Sequence, residues 1–418
     1  MTVDGVGCEV DEPAVLWLGY VMPRSMADRV FKLDTQPAIQ TQKFGLSCIG
    51  ALRIAYSTLL LASTCPIQNY PLGRKIFFAG KKFEIDGMPG LMLAFVNILG
   101  IKHVTRFVSC VITLAPYIHV RRVKLIYLHG VHSPYLFFAT LVRCLGVRTI
   151  AVLTDPPGVI LPTDGFLSRS LKMVDTYLVR RLLRRCAGVV ALAPGLVEKL
   201  AADSPNLVFP GILEGEFSRL AVQDIDHKTE GNDEFTIVYA GGLNARYGVD
   251  RLLEAIRGLD PKIAVRLKLF GRGDQERSIV DAAKHDKRIV YGGFVDTAVL
   301  IPEFLSADLL VNPRPTDASF VSLSFPSKLI EYLSTGCPVL TTRIPTIPAE
   351  MQAYFNFIED ETAKGIGNAI ICAMKSDRAS LHERAARGRD YVRNEFSQEA
   401  LGRKMRMFAD NLGLGQRS

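Results

Sequence analysis

Short, continuous apolar runs recur along the chain, and longer segments with helical periodicity separate them. Runs of this length that stop at glycine, proline or a polar loop are typical of strands buried on both faces of a parallel sheet. The runs lie at residues 14–19, 123–128, 149–153, 188–192, 206–209, 235–240, 265–270, 288–291, 309–311, 339–341 and 355–358. Alternation of strand and helix predicts an α/β protein with parallel, doubly wound sheets.

A polar segment divides these runs into two groups. The chain has 418 residues, which is too long for one core and fits two domains of about 200 residues each. We therefore expect a first domain at 1–213, a linker at 214–234, a second domain at 235–393 and a C-terminal helix at 394–418. The apolar spacing of that last segment predicts an ordinary amphipathic helix.

Two apolar segments, 59–66 and 91–101, are too short to cross a membrane. A spanning helix needs roughly 18 uncharged residues, and Lys102 interrupts the second segment. Both are interpreted as core helices, or as one apolar face that leans on a membrane. The polar, acidic residues 1–12 do not resemble a cleavable signal, so we expect a cytoplasmic protein.

Residues 308–338 hold the densest group of candidate binding residues. An apolar strand is followed by a polar loop and then by a helical pattern that runs from Pro326 to Gly336. Proline suits the first position of a helix, and glycine suits the left-handed residue just past its end. Ser327, Lys328 and Glu331 can point into one site near the start of that helix. A cation and a hydroxyl there favour a phosphate, and a carboxylate can accept hydrogen bonds from sugar hydroxyls.

The stretch Phe325-Pro-Ser-Lys-Leu-Ile-Glu-Tyr-Leu-Ser-Thr-Gly-Cys-Pro-Val339 resembles the donor-binding helix of retaining glycosyltransferases of the GT-B fold, in the branch that builds bacterial polysaccharides. The resemblance implies two facing Rossmann-like domains with a cleft between them, and a last helix that returns to the first domain. It also implies that Glu331 holds the ribose of a nucleotide sugar. The family commonly has a second glutamate eight residues earlier, where this chain has Leu323. Asp317 or Arg314 would then contact the donor sugar.

The strand at 235–240 runs into Gly241 and Gly242, and glycines at a strand end let the backbone approach a ligand closely. Arg246 follows in the same loop and can neutralise a diphosphate. The resemblance also implies contacts from Phe294 and Val295 to the nucleotide base. Because no Asp-x-Asp motif stands at a strand end, we expect no metal and no other cofactor. Arg246 and Lys328 would stabilise the departing diphosphate, as the catalytic cations.

Four residues follow strands of the first half, where ligands gather in such sheets. Gly19, His129 and His132 are the acceptor-side candidates. Asp155 is a candidate catalytic residue, and its Asp-Pro-Pro turn is similar to an Asp-Leu-Pro turn of the polysaccharide branch. Each histidine can equally be a loop residue without a role, and Asp155 can be a simple turn residue.

Net charge is +8, which favours an anionic partner. Residues 166–186 form a basic amphipathic pattern, with Arg180, Arg181, Arg184 and Arg185 on one face. Such a helix can lie on the anionic inner face of the cytoplasmic membrane, or it can pack on the sheet with solvated arginines. Zinc-ligand spacing and RNA-binding aromatic motifs are lacking, so nucleic acid is not expected. The eight cysteines are scattered in apolar segments and are expected to be buried free thiols.

These patterns together predict a hexosyltransferase. It would move a sugar from a nucleotide diphosphate sugar to a glycan or polyprenyl-linked acceptor, with retention and without metal. Three alternatives remain open: a nucleotide-sugar epimerase of the same fold, a degenerate partner that binds without turnover, and, from charge alone, a nucleic-acid-binding protein.

Overall fold

The computed structural model describes residues 13–158, 165–213, 215–221, 234–317 and 321–414. The chain divides into two compact units, which we call unit 1 (residues 1–209 and 401–418) and unit 2 (residues 210–400). Of the segment predicted as a linker, 215–221 and residue 234 are described; the rest lies outside the described residues. The described piece forms a helix, Gly215–Leu220, in which Phe217 stacks on Phe304 of unit 2.

Unit 1 is built on a large sheet whose strands are mostly parallel. The strands of unit 1 are β1 (Val15–Gly19), β2 (Leu59–Ser63), β3 (Phe77–Phe78), β4 (Lys81–Ile85), β5 (Met88–Met92), β6 (Phe95–Val96), β7 (Leu125–His129), β8 (Arg148–Leu153), β9 (Gly188–Ala191) and β10 (Asn206–Val208). Within the described residues the main sheet has the order β10-β9-β8-β7-β1-β2-β5-β4, and β3 pairs with β6 separately.

Helices cover this sheet. The helices of unit 1 are α1 (Arg24–Phe31), α2 (Ile39–Ala55), α3 (Ile101–Ser109), α4 (Ala115–Val120), α5 (Ser133–Val142), α6 (Phe166–Leu183) and α7 (Pro194–Leu200). A π-helical turn, Cys110–Leu114, joins α3 to α4. Trp17 of β1, Tyr127 of β7 and Phe138 of α5 are fully buried between these layers.

Unit 2 carries a second sheet, and all the strand pairs described in it are parallel. Its helices are α8 (Gly215–Leu220), α9 (Val249–Gly258), α10 (Glu276–His285), α11 (Thr297–Leu305), α12 (Lys328–Ser334), α13 (Ala363–Lys375) and α14 (Arg378–Glu395). Its strands are β11 (Phe235–Gly242), β12 (Val265–Arg272), β13 (Ile289–Gly293), β14 (Leu309–Asn312), β15 (Val339–Thr342) and β16 (Asn356–Ile358), in the order β13-β12-β11-β14-β15-β16.

The final helix, α15 (Gln398–Asn411), begins in unit 2 and continues into unit 1. The hydroxyl of Tyr127 donates to the carbonyl of Met405 at 3.1 Å, and the guanidinium of Arg406 lies 4.8 Å from the ring centre of Tyr56. Residues of α15 therefore belong to the packing of the first sheet.

The prediction of core helices at 59–66 and 91–101 was wrong. The first segment is β2, fully buried between β1 and β5, and the second passes through β5 and β6. Short apolar runs buried on both sides have no periodicity that separates strand from helix, so sequence spacing could not decide.

The expectation of a purely parallel first sheet was also incomplete. Strands β4 and β5 form an antiparallel hairpin at the sheet edge, turning through Asp86 and Gly87, whose φ angles are 50° and 82°. Asp-Gly between two short strands is a hairpin signal that the sequence does contain.

The cysteine expectation holds for part of the set. Among the described cysteines, Cys48, Cys65, Cys110 and Cys337 are buried thiols. Cys144 and Cys372 are exposed instead, because each lies on the solvent side of a helical segment rather than on its packed side.

Candidate functional site

Gly241 and Gly242 end the central strand of unit 2, and both sit directly beneath functional side chains. A Cβ at Gly241 would lie 2.6 Å from Cε and 3.0 Å from Nζ of Lys328, and one at Gly242 would lie 2.9 Å from the ring of Tyr247. Real Cβ atoms do not approach other atoms so closely, so glycine is what lets Lys328 lie over the end of β11. This brings two sequence-predicted elements, the Gly-Gly pair and Lys328, into one site.

The loop after β11 turns tightly against the loop after β14. Gly248 has a φ of 77°, and a Cβ there would overlap the carbonyl oxygen of Pro313. The turn places Arg246 beside Tyr247, with the guanidinium 4.9 Å from the ring centre, and Arg314 reaches the same ring at 5.9 Å. Arg246 and Arg314 therefore share one aromatic neighbour at the edge of the sheet.

Arg314 is the more deeply placed of these two cations. It is 5% exposed, and its carbonyl accepts a hydrogen bond from the hydroxyl of Thr342 at 2.5 Å. Burial lowers the pKa of Arg314, and the charge of Arg246 acts in the same direction. Arg246 itself is exposed.

The motif helix α12 starts later than predicted. It begins at Lys328 rather than Pro326, and Ser327 precedes it with helical dihedral angles and no side-chain capping bond. The amides of Leu329 and Ile330 bond to carbonyls three residues back, because this first turn is wound more tightly than an α-helix. The predicted end is confirmed, with Gly336 at a φ of 71°.

Lys328 and Glu331 stand one turn apart on α12. Burial lowers the pKa of Lys328, and the neighbouring Glu331 carboxylate opposes that shift. Glu331 is half-buried. A lysine weakly hydrated in this way gains more from a phosphate than a fully solvated one does, since less water must be removed on binding.

Tyr332 ties α12 to the end of β11. Its fully buried hydroxyl accepts from the amide of Ala240 at 2.9 Å and donates to the carbonyl of the same residue at 3.2 Å. Strand β14 pairs only as far as Val238, so Ala240 has no ladder partner on that side. The tyrosine satisfies both groups and holds Gly241 in register with Lys328.

The remaining donor-side predictions lie at the ends of β13 and β14. Phe294 is 64% exposed, and the guanidinium of Arg272 lies 4.8 Å from its ring centre. Val295 is half-buried, and Asp317 is exposed after β14. Leu323 lies in a short 3-10 turn, Val321–Leu323, and is also half-buried.

Two of the predicted acceptor-side residues of unit 1 are packed inside it. Gly19 is buried, and a Cβ there would lie 2.9 Å from Nε1 of Trp17 and 3.0 Å from Cβ of His129. His129 is fully buried, with its ring centre 5.3 Å from that of Trp17 and 5.6 Å from that of Phe44. Burial lowers the pKa of His129 to about 4, so the imidazole is neutral at pH 7.

His132 and Asp155 are placed differently. His132 precedes α5 and lines a cavity of about 880 Å³ in unit 1, together with Tyr20. Burial, followed by the charge of Arg106, lowers the pKa of His132 to about 3. Asp155 is exposed just beyond β8. The structure therefore brings His129 and His132 near Tyr20, at 6.3 Å and 5.8 Å between ring centres.

Three contributors escaped the sequence analysis: Tyr332, Tyr247 and Arg272. Tyr332 and Tyr247 are neighbours of predicted residues in the chain, but an aromatic residue in a helix or turn is normally a packing residue. Arg272 is the last residue of β12, and a basic residue at the carboxyl end of a strand is the signal that could have found it.

The arrangement gathers cations at one edge of the sheet of unit 2. Lys328 lies over Gly241, while Arg246 and Arg314 flank Tyr247 beside Gly242. Exposed backbone beneath several cations suits a polyanion such as a diphosphate, and a carboxylate on the adjoining helix suits hydroxyl groups.

Residues 234–387 match the family described as Glycosyl transferases group 1. The matched residues lie within unit 2 and cover less than half of the chain. A further similarity is to a protein described as a putative colanic acid biosynthesis glycosyltransferase, WcaL, from Escherichia coli K12, at 22% identity over 175 residues. The matched region spans 40% of this chain and 43% of that relative.

Solved structures resemble this chain over both units. HepE from Anabaena, solved with UDP, superposes with a TM-score of 0.60 at 14% identity, covering 96% of this chain and 99% of that one. Sucrose-phosphate synthase from Thermosynechococcus elongatus gives 0.59 at 14% identity, covering 96% and 100%. The fold is thus the GT-B fold with two Rossmann-like domains, as the sequence predicted.

Two kinds of feature are absent from the described residues. None of the helices there is both long and apolar enough to cross a membrane. No cluster of three histidine, cysteine or acidic side chains there is arranged to hold a metal ion.

Proposed function

We propose that this protein moves a sugar from a nucleotide diphosphate sugar to a glycan or polyprenyl-linked acceptor in surface polysaccharide synthesis, with retention and without a metal. Unit 2 would bind the donor and unit 1 the acceptor. The family match and the similarity to WcaL and to HepE, which was solved with UDP and with UDP-glucose, support the reaction class.

The observation that carries the donor proposal is the approach of Lys328 to Gly241. A diphosphate laid on the end of β11 would meet the ammonium of Lys328 on one side and the guanidinium of Arg246 on the other. As the bond to the sugar breaks, negative charge grows on the diphosphate, and fixed cations stabilise it. Glu331 would hold the ribose hydroxyls.

The retaining course is carried over from the family resemblance, and the usual mechanism of that family has no enzyme nucleophile. The departing phosphate would take the proton of the acceptor hydroxyl as the new bond forms on the same face of the sugar. The substitution of Leu323 for the usual glutamate leaves sugar contacts to Arg314 and Asp317. A partner that binds a nucleotide sugar without turnover is the second candidate, and that substitution favours it.

The test of the donor site is a thermal-shift screen against UDP, GDP, ADP and their common sugars, with and without EDTA. We expect one nucleotide to raise the Tm, EDTA to leave the shift unchanged, and Lys328→Ala and Glu331→Ala to remove most of it. Arg257→Ala, in the exposed last turn of α9, is the matched control and should respond like the wild type. Equal shifts in all four proteins would refute this site.

Turnover and stereochemistry need a second experiment. The release of UDP or another nucleoside diphosphate is measured in the presence of a membrane extract that supplies the acceptor. Nucleotide release distinguishes an enzyme from a protein that only binds the donor. NMR of the product reports the anomeric configuration, and inversion would contradict the retaining course. Binding without nucleotide release would favour the non-catalytic candidate.

Peripheral membrane contact is the least direct part of the proposal, and exposed apolar side chains in unit 1 support it. The N-terminal half of α6 exposes apolar residues, led by Phe166 at 88%, whereas its C-terminal half buries Val179, Leu182 and Leu183. The neighbouring arginines of α6 are exposed. Apolar and basic side chains on one helix are typical of segments that rest on anionic lipid. Helix α6 ends at Leu183, so Arg180 and Arg181 of the predicted arginine face lie on it and Arg184 and Arg185 lie beyond its end.

A further inference from the structure

Unit 1 contains a cavity of about 880 Å³. Tyr20, which follows β1, Pro66 and Ile67, which follow β2, and His132, which follows β7, contribute to its wall. Strands β1, β2 and β7 are neighbours in the sheet and run parallel, so the cavity opens at their shared carboxyl edge. Ligands of parallel α/β sheets bind at this edge.

Two buried cations on α3 line this cavity. Lys102 and Arg106 stand one helical turn apart, and each is 6% exposed. The ammonium of Lys102 donates to the carbonyl of Ile67, and Nη2 of Arg106 donates to the carbonyl of Cys65 at 2.9 Å. Nε of Arg106 is buried without an acceptor. Among the described residues, no carboxylate forms a salt bridge with either cation.

The acids closest to these cations are engaged elsewhere. The Asp34 carboxylate accepts from the amides of Gln36 at 3.0 Å and Gln68 at 2.8 Å. The Asp175 carboxylate accepts from the amide of Ser133 at 3.3 Å and also lies 3.8 Å from Nδ1 of His103. Neither of these carboxylates forms a salt bridge with Lys102 or Arg106.

Burial also shifts the pKa values of side chains in this cavity. Burial, and then the charge of Arg106, lowers the pKa of Lys102 to about 6, with Asp34 and Cys65 acting in the opposite direction. Burial also lowers the pKa of His103, which faces the same cavity. A pKa of about 6 leaves Lys102 mostly neutral at pH 7 when no anion is bound, and a bound phosphate would favour its protonated form. Buried groups with pKa values shifted in this way cluster at binding sites.

We propose that this cavity binds the phosphate group of the acceptor, with Lys102 and Arg106 as its ligands. The proposal rests on the proposed function, in that unit 1 receives the acceptor. A phosphate suits this pair better than a carboxylate does, because it offers three oxygens to a forked guanidinium and an ammonium at once. Besides the N–H groups that donate to the carbonyls of Ile67 and Cys65, both side chains have further donors available for a ligand.

Apolar side chains lie beside the cations in the cavity wall. Tyr70, Leu72 and Leu99 line it and are exposed at 49%, 56% and 40%. Anion and apolar surface therefore meet in one pocket. A phosphate can arrive there on a prenyl chain or on a soluble sugar phosphate, and the two sources share the same anionic group.

The test is calorimetric titration of the full chain without nucleotide, in buffer free of phosphate and sulfate. The probes are inorganic pyrophosphate, glucose 1-phosphate, farnesyl diphosphate, and farnesol as the uncharged control. Lys328→Ala serves as the background, since it removes the donor-site cation that could also hold a diphosphate. We expect Lys102→Met and Arg106→Gln to weaken phosphate binding at least tenfold, and Lys124→Gln, an exposed lysine outside the cavity, to leave it unchanged.

The outcomes separate the sources and the proposals. If farnesyl diphosphate binds more tightly than pyrophosphate, the acceptor phosphate is lipid-linked. If glucose 1-phosphate binds as tightly as farnesyl diphosphate, the acceptor is a soluble sugar phosphate. Lys102→Met removes a buried charge and is expected to fold even where Arg106→Gln does not. If Lys102→Met binds every probe as tightly as the background, or if no charged probe binds more tightly than farnesol, the proposal is overturned. A UDP shift that survives in the single variant Lys102→Met, in which Lys328 is intact, shows that the donor proposal stands independently.

Discussion

Tyr332→Phe is the sharpest test of how unit 2 assembles its donor site. The substitution removes one hydroxyl and keeps a ring that is fully buried and lies edge-on to Phe304, with ring centres 5.3 Å apart. That hydroxyl serves both the amide and the carbonyl of Ala240. A buried amide left without a partner costs about 1–3 kcal/mol.

The lost hydrogen bonds should lower the free energy of unfolding and increase local opening around Ala240. A loss of about 1–3 kcal/mol lowers the Tm of a unit of this size by roughly 2–4 °C per kcal/mol. The single tryptophan is Trp17, in unit 1, so its fluorescence does not report on unit 2. Far-UV circular dichroism on denaturation and hydrogen exchange of the peptide that contains Ala240 are therefore the measurements. Affinity for the donor nucleotide should fall several-fold, because Gly241 follows Ala240 directly.

Tyr291→Phe is the matched control. Its hydroxyl donates to the carbonyl of Gly271 at 3.1 Å, but the side chain is only half-buried, so water can replace that bond. Its expected effect is within about 0.5 kcal/mol. If Tyr332→Phe unfolds like Tyr291→Phe and the amide of Ala240 exchanges as in the wild type, the proposed link between β11 and α12 is refuted.

Three further outcomes are expected. Gly248→Ala should destabilise unit 2 by about 1–3 kcal/mol and abolish donor binding, since a Cβ at φ 77° would overlap Pro313. Gly258→Ala is the control at the other end of α9, where a Cβ would meet open space, and it should stabilise the protein by up to ~1 kcal/mol. Both effects are measured by chemical denaturation. The free energy of unfolding of the wild type should rise between about pH 6 and 10.5, because in that range the unfolded chain holds a proton that folded Lys102 lacks. Lys102→Met should lose this dependence, which amounts to up to ~1.4 kcal/mol per pH unit. Identical slopes of unfolding free energy against pH in the two proteins would contradict the prediction. Phe166→Ser should reduce co-sedimentation with phosphatidylglycerol vesicles several-fold at unchanged circular dichroism, and undiminished binding would count against membrane contact through α6.

The sequence predicted the six described strands of unit 2 and five of the ten described strands of unit 1. Each run stops at glycine, proline or a polar loop, and a strand buried on both faces must be apolar throughout. The same rule failed for 59–66, where an equally apolar run was assigned to a helix. Only its neighbours β1 and β5 decide that it is β2.

The candidate site divides in the same way. Gly241, Gly242, Lys328 and Glu331 could be found from the sequence, because glycine at a strand end and charge at a helix start are local features. Their closeness, with Lys328 lying over Gly241, is decided by the tertiary structure. The role of Tyr332 also required it, since the partner, Ala240, is 92 residues away in the chain.

The cavity of unit 1 belongs wholly to the second category. Lys102 and Arg106 stand in the sequence as interruptions of an apolar segment, where charge normally marks a solvent-facing side of a helix. Folding turns that side inward, against the loop after β2, and buries both cations at the edge of the sheet. Apolar pattern and chain-neighbour chemistry thus determined the elements of this protein and the residue types of its donor site. Burial and contact between distant segments decided which charges meet, because both depend on how the elements pack.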